Sequence, residues 1–552
     1  MSGRPWQRAA ILHPSISRSG ATGMPPFANP SDQTKSITGS LMFKTHKLWS
    51  TCLVAATLPC SALALTPRGS DATQAAAIHT LPEFVEFLKL PNVMHKSTAD
   101  MRKNADWVEA AFKRHGFEAR QLPDGETPMV FAQAPGASPK RKTVLFYAHM
   151  DGQAVFPKDW DQADPFRPVL KQKGTDGKLA PIPIEKITQG GAVDPEWRLF
   201  ARSAADDKAP IMMLMAAMDA LKAQGKTAGI NIKIIIDSHE EGGPPTLKDV
   251  VQNNLELLKA DAVVMLDGPM HPSNKPTLVF GHRGGMGFDL TVFAGNNDAH
   301  SGHFGNFLPD PSFALAHLLS NMRDMDGRVL IPGFYDGVDM SPAMKKILAA
   351  VPDDEAAIRA RIGIARNEKV GDNYQEAMNY PTFNITSMIS GQPGSRRSVI
   401  PAFATASVSS RTVPGTPPER QIALVRKWVE AQGYHLVESE PTDEERGKFP
   451  LIAAIKGGGG MPALMTPLDA AVGKWAAAAF TDAFGQDPVR IPIMGGGVPT
   501  RPLADGLKVP ILLIPLVNAD NNQHAANENL RLGNYTSGVK SLYALFVADF
   551  AD

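Results

Sequence analysis

Thr143-Val144-Leu145-Phe146-Tyr147-Ala148-His149-Met150-Asp151 is an apolar run that stops at a histidine, with a carboxylate two positions further on. A short run without polar alternation is the pattern of a strand covered on both faces, as in a parallel sheet. Two more runs behave the same way: Ile232 to Ile236 ends just before Glu240, and Ala262 to Leu266 ends at Asp267. Between the first run and the second, Ala209 to Ala223 is a Met- and Ala-rich helical stretch. The fold expected is α/β, with a mixed, largely parallel sheet flanked by helices. In such sheets ligands collect beyond the carboxyl ends of the strands. His149, Glu240, Glu241 and Asp267 all fall there.

Upstream, apolar residues from Ile78 to Phe117 recur at helical spacing. Downstream, the pattern changes near Gly285. Gly287 to Phe293 and Phe403 to Ser409 alternate, which marks a half-exposed antiparallel sheet. Helical stretches at Pro311 to Met322 and Pro418 to Gln432 accompany them. Residues 285–460 therefore read as an inserted α+β domain that splits the catalytic domain into 65–284 and 461–552. Gly457-Gly458-Gly459-Gly460 reads as the return linker. The α/β pattern resumes with Leu468 to Phe484 and the strand Val509 to Ile514.

The 552 residues are 43% hydrophobic and 20% charged with zero formal net charge, an ordinary globular composition. That balance, without a basic stripe, gives no electrostatic footprint for nucleic acid or acidic lipid. No Gly-Lys-Ser/Thr follows the glycine runs, so a phosphate loop is excluded. Residues 1–64 read as a leader. Lys44 and Lys47, the run Leu53 to Leu58 and the small-x-small end at Ala62 and Ala64 form a signal peptide whose natural start is Met42. The run is too short to anchor in a bilayer. The location expected is secreted or periplasmic. Cys52 and Cys60 both lie in this leader, so any metal would be held by His, Asp and Glu.

Taken singly, the polar residues at the strand ends have ordinary explanations. His149 and Asp151 could belong to a surface turn, Asp206 in Ala205-Asp206-Asp207-Lys208 could cap the following helix, and Glu240-Glu241 could be an exposed acidic turn. Asp267 could be a turn residue, and His524 a satisfied core histidine. Together they form a chemical set. Two histidines and three carboxylates suit zinc. Two cations held close together need a bridging anion, and one of two adjacent carboxylates can bind metal while the other serves as general base.

In this order the blocks resemble the M20 family of metallopeptidases, which includes glutamate carboxypeptidases, carnosinase-like dipeptidases and aminoacylases. The resemblance runs from about 80 to 550. Trp160 with Asp164-Pro165-Phe166-Arg167-Pro168, Ala299-His300-Ser301-Gly302-His303-Phe304-Gly305, Ser410-Arg411-Thr412-Val413-Pro414 and Asn527-Glu528 add to it. The resemblance implies two zincs per chain bridged by Asp206, with His149 and Asp267 completing one site and Glu241 and His524 the other. Cobalt or manganese could replace zinc. Glu240 would be the general base acting on a metal-activated water, and Asp151 would orient His149. The insertion would be the lid, often also the dimerisation surface. Its His300 would donate to the oxyanion, in some members from the partner subunit. Arg411 would grip a substrate carboxylate, and Asn384 would touch substrate. The reaction implied is amide hydrolysis in small peptides, of dipeptidase or carboxypeptidase type. The alternatives are an N-acyl-amino-acid deacylase of the same family and a non-catalytic zinc-binding protein.

The chain departs from the family pattern in places. Gly495-Gly496-Gly497-Val498-Pro499 lacks the serine many members carry, Gly242-Gly243-Pro244-Pro245 should stiffen the loop after the Glu pair, and His-Met-Asp-Gly-Gln replaces the commoner His-x-Asp-Val-x. None of these touches an expected ligand.

Overall fold

The computed structural model describes residues 70–123, 125–242, 246–391, 394 and 397–551. The leader and the Pro244-Pro245 loop lie outside them. Thr143–His149 is an inner strand of an eight-stranded sheet. The order is Glu118–Leu122, Met129–Gln133, Asn231–Asp237, Thr143–His149, Ala262–Met265, Ile511–Leu513, Thr277–Val279, Val489–Ile491. The four central strands run parallel to one another. The outer pairs join them antiparallel, through Met129–Gln133 on one side and Thr277–Val279 on the other. The sheet is thus mixed and largely parallel.

Side-chain alternation explains the unbroken apolar runs. Val144, Phe146 and Ala148 point into a core shared with the helices Ser70–Leu88, Lys208–Ala223 and Leu532–Val547. Leu145 and Tyr147 point the other way, into a core shared with Val250 and Val251 of the helix Leu247–Asn253 and with Leu503. Helices thus cover both faces of the sheet, and every position of the strand must be apolar.

A second, five-stranded sheet is built between Gly284 and Met461, in the order Asn384–Ser390, Phe403–Thr412, Gly284–Phe293, Ile452–Met461, His435–Val437. Its pairs are antiparallel except the last. Met286, Phe288, Leu290 and Val292 form its inner face against Leu315 and Leu319 of the helix Pro311–Met322 and Val425 and Val429 of the helix Pro418–Ala431. Pro311 and the Asp310 carboxylate, which accepts the Ser312 N–H at 2.8 Å, set the first of these helix starts.

Gly457 to Gly460 is a correction. These glycines are not a linker but part of the strand Ile452–Met461. Gly457 and Gly458 have φ of 89° and 99°, at a register shift opposite Met286 to Phe288. A side chain at Gly460 would collide with the Gly285 carbonyl. Glycine serves here for close approach inside a bulged sheet rather than for freedom between domains.

A small sheet orders Asn529–Arg531 against Arg198–Phe200, followed by Val169–Lys173 and Leu179–Pro181. It brings the loop carrying His524 beside the loop carrying Asp206.

Candidate metal centre

Five separate segments converge at the carboxyl ends of the parallel strands. His149 is the last residue of its strand and lies opposite Asp237 of the neighbouring one. Glu240 and Glu241 follow Asp237 by three and four positions, and Asp267 lies two beyond Met265. Asp206 ends the loop before the helix Lys208–Ala223, and its peptide bond to Asp207 is cis. His524 arrives on the loop before Asn529–Arg531.

Asp206 is the centre of the arrangement. Its Oδ1 lies 3.0 Å from His149 Nε2 and its Oδ2 lies 3.1 Å from His524 Nε2. Glu241 Oε1 is 3.4 Å from the same His524 nitrogen. Two overlapping groups result, His149–Asp206–Asp267 and Asp206–Glu241–His524, each with ligand atoms within 4.8 Å of one another. The five residues expected to be ligands are therefore brought together, and they share the aspartate expected to bridge.

The surroundings fix these side chains. His149 Nδ1 sits 3.1 Å from the backbone carbonyl of Asp151 and 3.4 Å from its Oδ1. That contact leaves Nε2 free to face Asp206, the usual outer support of a ligating imidazole. Asp151 does more than orient the ring: its two oxygens accept the backbone N–H groups of Glu240 at 3.1 Å and Glu241 at 2.8 Å. Gln153 Nε2 donates to Glu241 Oε2 at 2.6 Å. Below the site, the Tyr147 hydroxyl donates to Asp237 at 2.9 Å.

The electrostatics describe a donor set in need of positive charge. Burial pushes Glu240 up to about 8, opposed by His149 and reinforced by Asp267, Glu241 and Asp151. Burial and the neighbouring carboxylate of Asp206 push Glu241 up to about 7 and Asp267 up to about 6. Burial also opposes the charged form of Asp206, yet hydrogen bonds from His149 and His524 hold it below the usual carboxylate range. The hydrogen bond to Asp206 lifts His524 to about 9. Carboxylates crowded out of water repel one another unless cations intervene. Imidazole nitrogens and carboxylate oxygens are the donors zinc accepts. The residues present thus fit a dinuclear metal site.

Asp206, Glu240, Glu241, Asp267 and His524 open onto a cavity of about 520 Å³. Met270, Met378, Met494, Ile358 and Ile493 supply an apolar wall, and Arg361 is the one Lys or Arg among the described residues that line it.

Comparison with known proteins agrees with this geometry. The model of peptidase family M20/M25/M40 matches residues 145–548. The chain belongs to this family. As an M20 peptidase it is a hydrolase, and the family uses a dinuclear metal site. It is 28% identical over 466 residues to the Cys-Gly metallodipeptidase dug1 of Schizosaccharomyces pombe, covering 81% of this chain and 90% of that one. It is 27% identical over 446 residues to the Beta-Ala-His dipeptidase of Homo sapiens, covering 78% and 80%. Among solved structures, an M20 family metallo-carboxypeptidase, Sso-CP2 from Sulfolobus solfataricus, superposes with a TM-score of 0.62 at 24% identity, over 84% of this chain and 97% of that one. That likeness speaks for the fold.

The expected secreted or periplasmic location is corrected. Relatives such as dug1 are eukaryotic metallodipeptidases, and they give no support to export. The apolar run that prompted the expectation lies outside the described residues.

Three expected site residues of this M20 peptidase are not at the cavity of their own chain. His300 is exposed, and its Nδ1 accepts the Gly302 N–H at 3.0 Å. Asn384 and Arg411 are exposed on neighbouring strands of the second sheet. None of the three lines the cavity. Conversely, reading the sequence missed Gln153, Arg202 and the role of Glu528. Gln153 and Glu528 stand inside quoted blocks, so their position beside the ligands was a usable signal. Arg202 carried none.

Proposed function

We propose that this M20 peptidase is a dinuclear zinc dipeptidase that hydrolyses the amide bond of short peptides. The observation that carries the reading is the pair of ligand groups sharing Asp206, with one oxygen turned to each histidine. The names of its relatives at 27–28% identity, a Cys-Gly metallodipeptidase and a Beta-Ala-His dipeptidase, support the substrate class.

His149, Asp206 and Asp267 would hold one zinc, and Asp206, Glu241 and His524 the other; cobalt or manganese could take the same places. Bound there, the cations supply Lewis acidity toward the scissile carbonyl and lower the pKa of a water. Glu240 lines the same cavity and belongs to neither ligand group. Its carboxylate takes the proton of the attacking water and delivers it to the departing amine. Asp151, through the N–H groups of Glu240 and Glu241, keeps this base in place beside the ligand.

Residues 285–460 would act as the lid, and two chains would pair through it. The strand Asn384–Ser390 is at the edge of its sheet with all seven residues exposed, Met388 and Ile389 at 53% and 51%. An exposed apolar edge is a template for another chain. Across such a dimer His300 would donate to the oxyanion, Arg411 would take the substrate carboxylate, and Asn384 would contact substrate. This accounts for three site residues that face solvent in a single chain.

The test is a hydrolysis screen of dipeptides, including Cys-Gly and β-Ala-His, beside N-acetyl amino acids, with metal-reconstituted enzyme and Glu240→Gln as blank. Dipeptide cleavage that Glu240→Gln abolishes while keeping about two metals per chain is the expected result. Preferential cleavage of N-acetyl amino acids would move the protein to the deacylases, and full activity in Glu240→Gln would remove the base.

A further inference from the structure

Trp160 and the Asp-Pro-Phe block that follows it take no part in the chemistry above, yet they lead straight to the metal centre. Trp160 lies under the Arg202 guanidinium, 5.4 Å from ring centre to carbon. The backbone N–H of Arg202 donates to the Pro165 carbonyl at 2.9 Å. Arg202 Nη1 then pairs with Glu528 Oε2 at 2.7 Å, and both side chains are buried. The same Glu528 oxygen accepts the Ser203 N–H at 2.9 Å, and Oε1 accepts the N–H groups of Ala205 and Asp206, each at 2.9 Å. One carboxylate is therefore saturated by three backbone donors and a guanidinium. Three of its four bonds hold the loop that ends at Asp206.

The other side of this carboxylate is the loop of His524. Glu528 stands four residues beyond that histidine, and Arg202 Nη2 donates to the Ala525 carbonyl at 3.2 Å. His524 sits in no strand or helix. Its φ of 62°, with 57° at Asn522 and 60° at Asn527, puts three non-glycine residues in the left-handed region. Such a backbone persists only when its surroundings over-determine it. His149 and Asp267, by contrast, sit at or just past the ends of buried strands, and the bonds of the Glu528 carboxylate go to Arg202, Ser203, Ala205 and Asp206 instead.

Resting on the two-metal reading above, we propose that Trp160, Arg202 and Glu528 form a positioning unit that sets Asp206 and His524 together and so governs occupancy of the Asp206–Glu241–His524 site more strongly than that of the His149–Asp206–Asp267 site, of whose ligands it holds Asp206 alone. Glu528 and Arg202 neither line the cavity nor belong to a ligand group; they act through the backbone that carries two of that site's three ligands. Outer supports of metal ligands are worth about 10–100-fold in affinity. A loss of that size is expected at one site, with at most a few-fold change at the other.

The experiment is stepwise zinc titration by calorimetry of the chelator-treated full chain, with cobalt absorption as a second signal. The variants are Glu528→Gln, Arg202→Lys and Trp160→Leu. Glu528→Gln places an amide N–H against backbone donors. Arg202→Lys keeps the charge but loses the forked contact to Glu528 and Ala525. Should Glu528→Gln fail to fold by circular dichroism, the other two carry the same question. Two binding steps in the wild type, with one weakened about 10–100-fold in the variants and the other by at most a few-fold, is the expected result. Equal loss at both steps would make the unit merely structural, and unchanged titrations would remove it; either overturns the inference and leaves the two-metal reading standing. Fewer than two steps in the wild type would overturn that reading, and this inference with it.

Discussion

The carboxylate of Asp151 accepts the backbone N–H of Glu240 at 3.1 Å through one oxygen, while its other oxygen accepts that of Glu241 at 2.8 Å. A base and a metal ligand that stand side by side are thus fixed by one buried anion. Asp151→Asn keeps a single acceptor and turns an amide N–H toward the second donor. A hydrogen bond to a charged group is worth about 1.5–3 kcal/mol, so turnover should fall by about 10–100-fold at saturating zinc. Steady-state kinetics checks this, and a wild-type kcat would show that the Glu-Glu loop holds itself.

Removing the metal should cost stability as well as activity. A ligand that binds only the folded state stabilises it by about 4 kcal/mol at a thousand times its Kd. Without cations, Glu240, Glu241 and Asp267 repel one another in a buried site. Chelation should therefore lower Tm in scanning calorimetry, and added zinc should restore it. In Asp206→Asn, which removes the shared anion, zinc should no longer raise Tm. A Tm indifferent to chelator in the wild type would contradict the donor set.

What could be read from the sequence followed the strength of local signals. The apolar runs at Thr143, Ile232 and Ala262 disclosed the parallel strands because burial on both faces leaves no polar positions. His149, Glu240, Glu241 and Asp267 stood out because ligands in such sheets gather beyond the strand ends, whereas Asp206 and His524, on loops, were named as ligands only through the resemblance to the M20 family. The antiparallel strand Thr277–Val279 and its parallel neighbour Val489–Ile491 left no comparable trace: each is three residues long, and its place depends on distant partners. Gly457 to Gly460 misled for a related reason. Four glycines look like a hinge locally, and only the crossing of Gly285 and Gly287 behind them makes them strand. Arg202 could not be found at all, since its meaning lies in Glu528, 326 residues away.

Far from the metal centre, His115 gives the fold an alkaline weakness. Its Nδ1 lies 2.7 Å from Asp219 and its Nε2 2.8 Å from Glu83, which also pairs with Arg114. Burial opposes the imidazolium, but the two carboxylates lift the group to about 9. A pKa raised on folding contributes stability that is complete below the ordinary value of 6.5 and is lost as pH climbs through about 9. The contribution is about 3 kcal/mol at most. Urea denaturation at pH 6 and pH 9.5 should show this loss in the wild type, and a smaller one in His115→Asn. Parallel losses in the two proteins would place the alkaline weakness elsewhere.

Pairing through the lid makes the sharpest demand on the surface. Met388 and Ile389 occupy the outer edge of the second sheet, exposed by 53% and 51%. Lysine on an edge strand blocks the approach of a second strand, since its charge would have to be desolvated. Met388→Lys with Ile389→Lys should therefore yield a monomer by sedimentation, with the fold and metal content kept. If His300 works from the partner chain, that monomer should also lose turnover by about 100-fold, the scale of a missing oxyanion donor. Mixing it with Glu240→Gln should restore nothing, because pairing needs the apolar edge of both chains and the lysine variant offers none. A wild-type protein that sediments as a fully active monomer would return His300 to its own chain, and the exposed edge would then need another explanation.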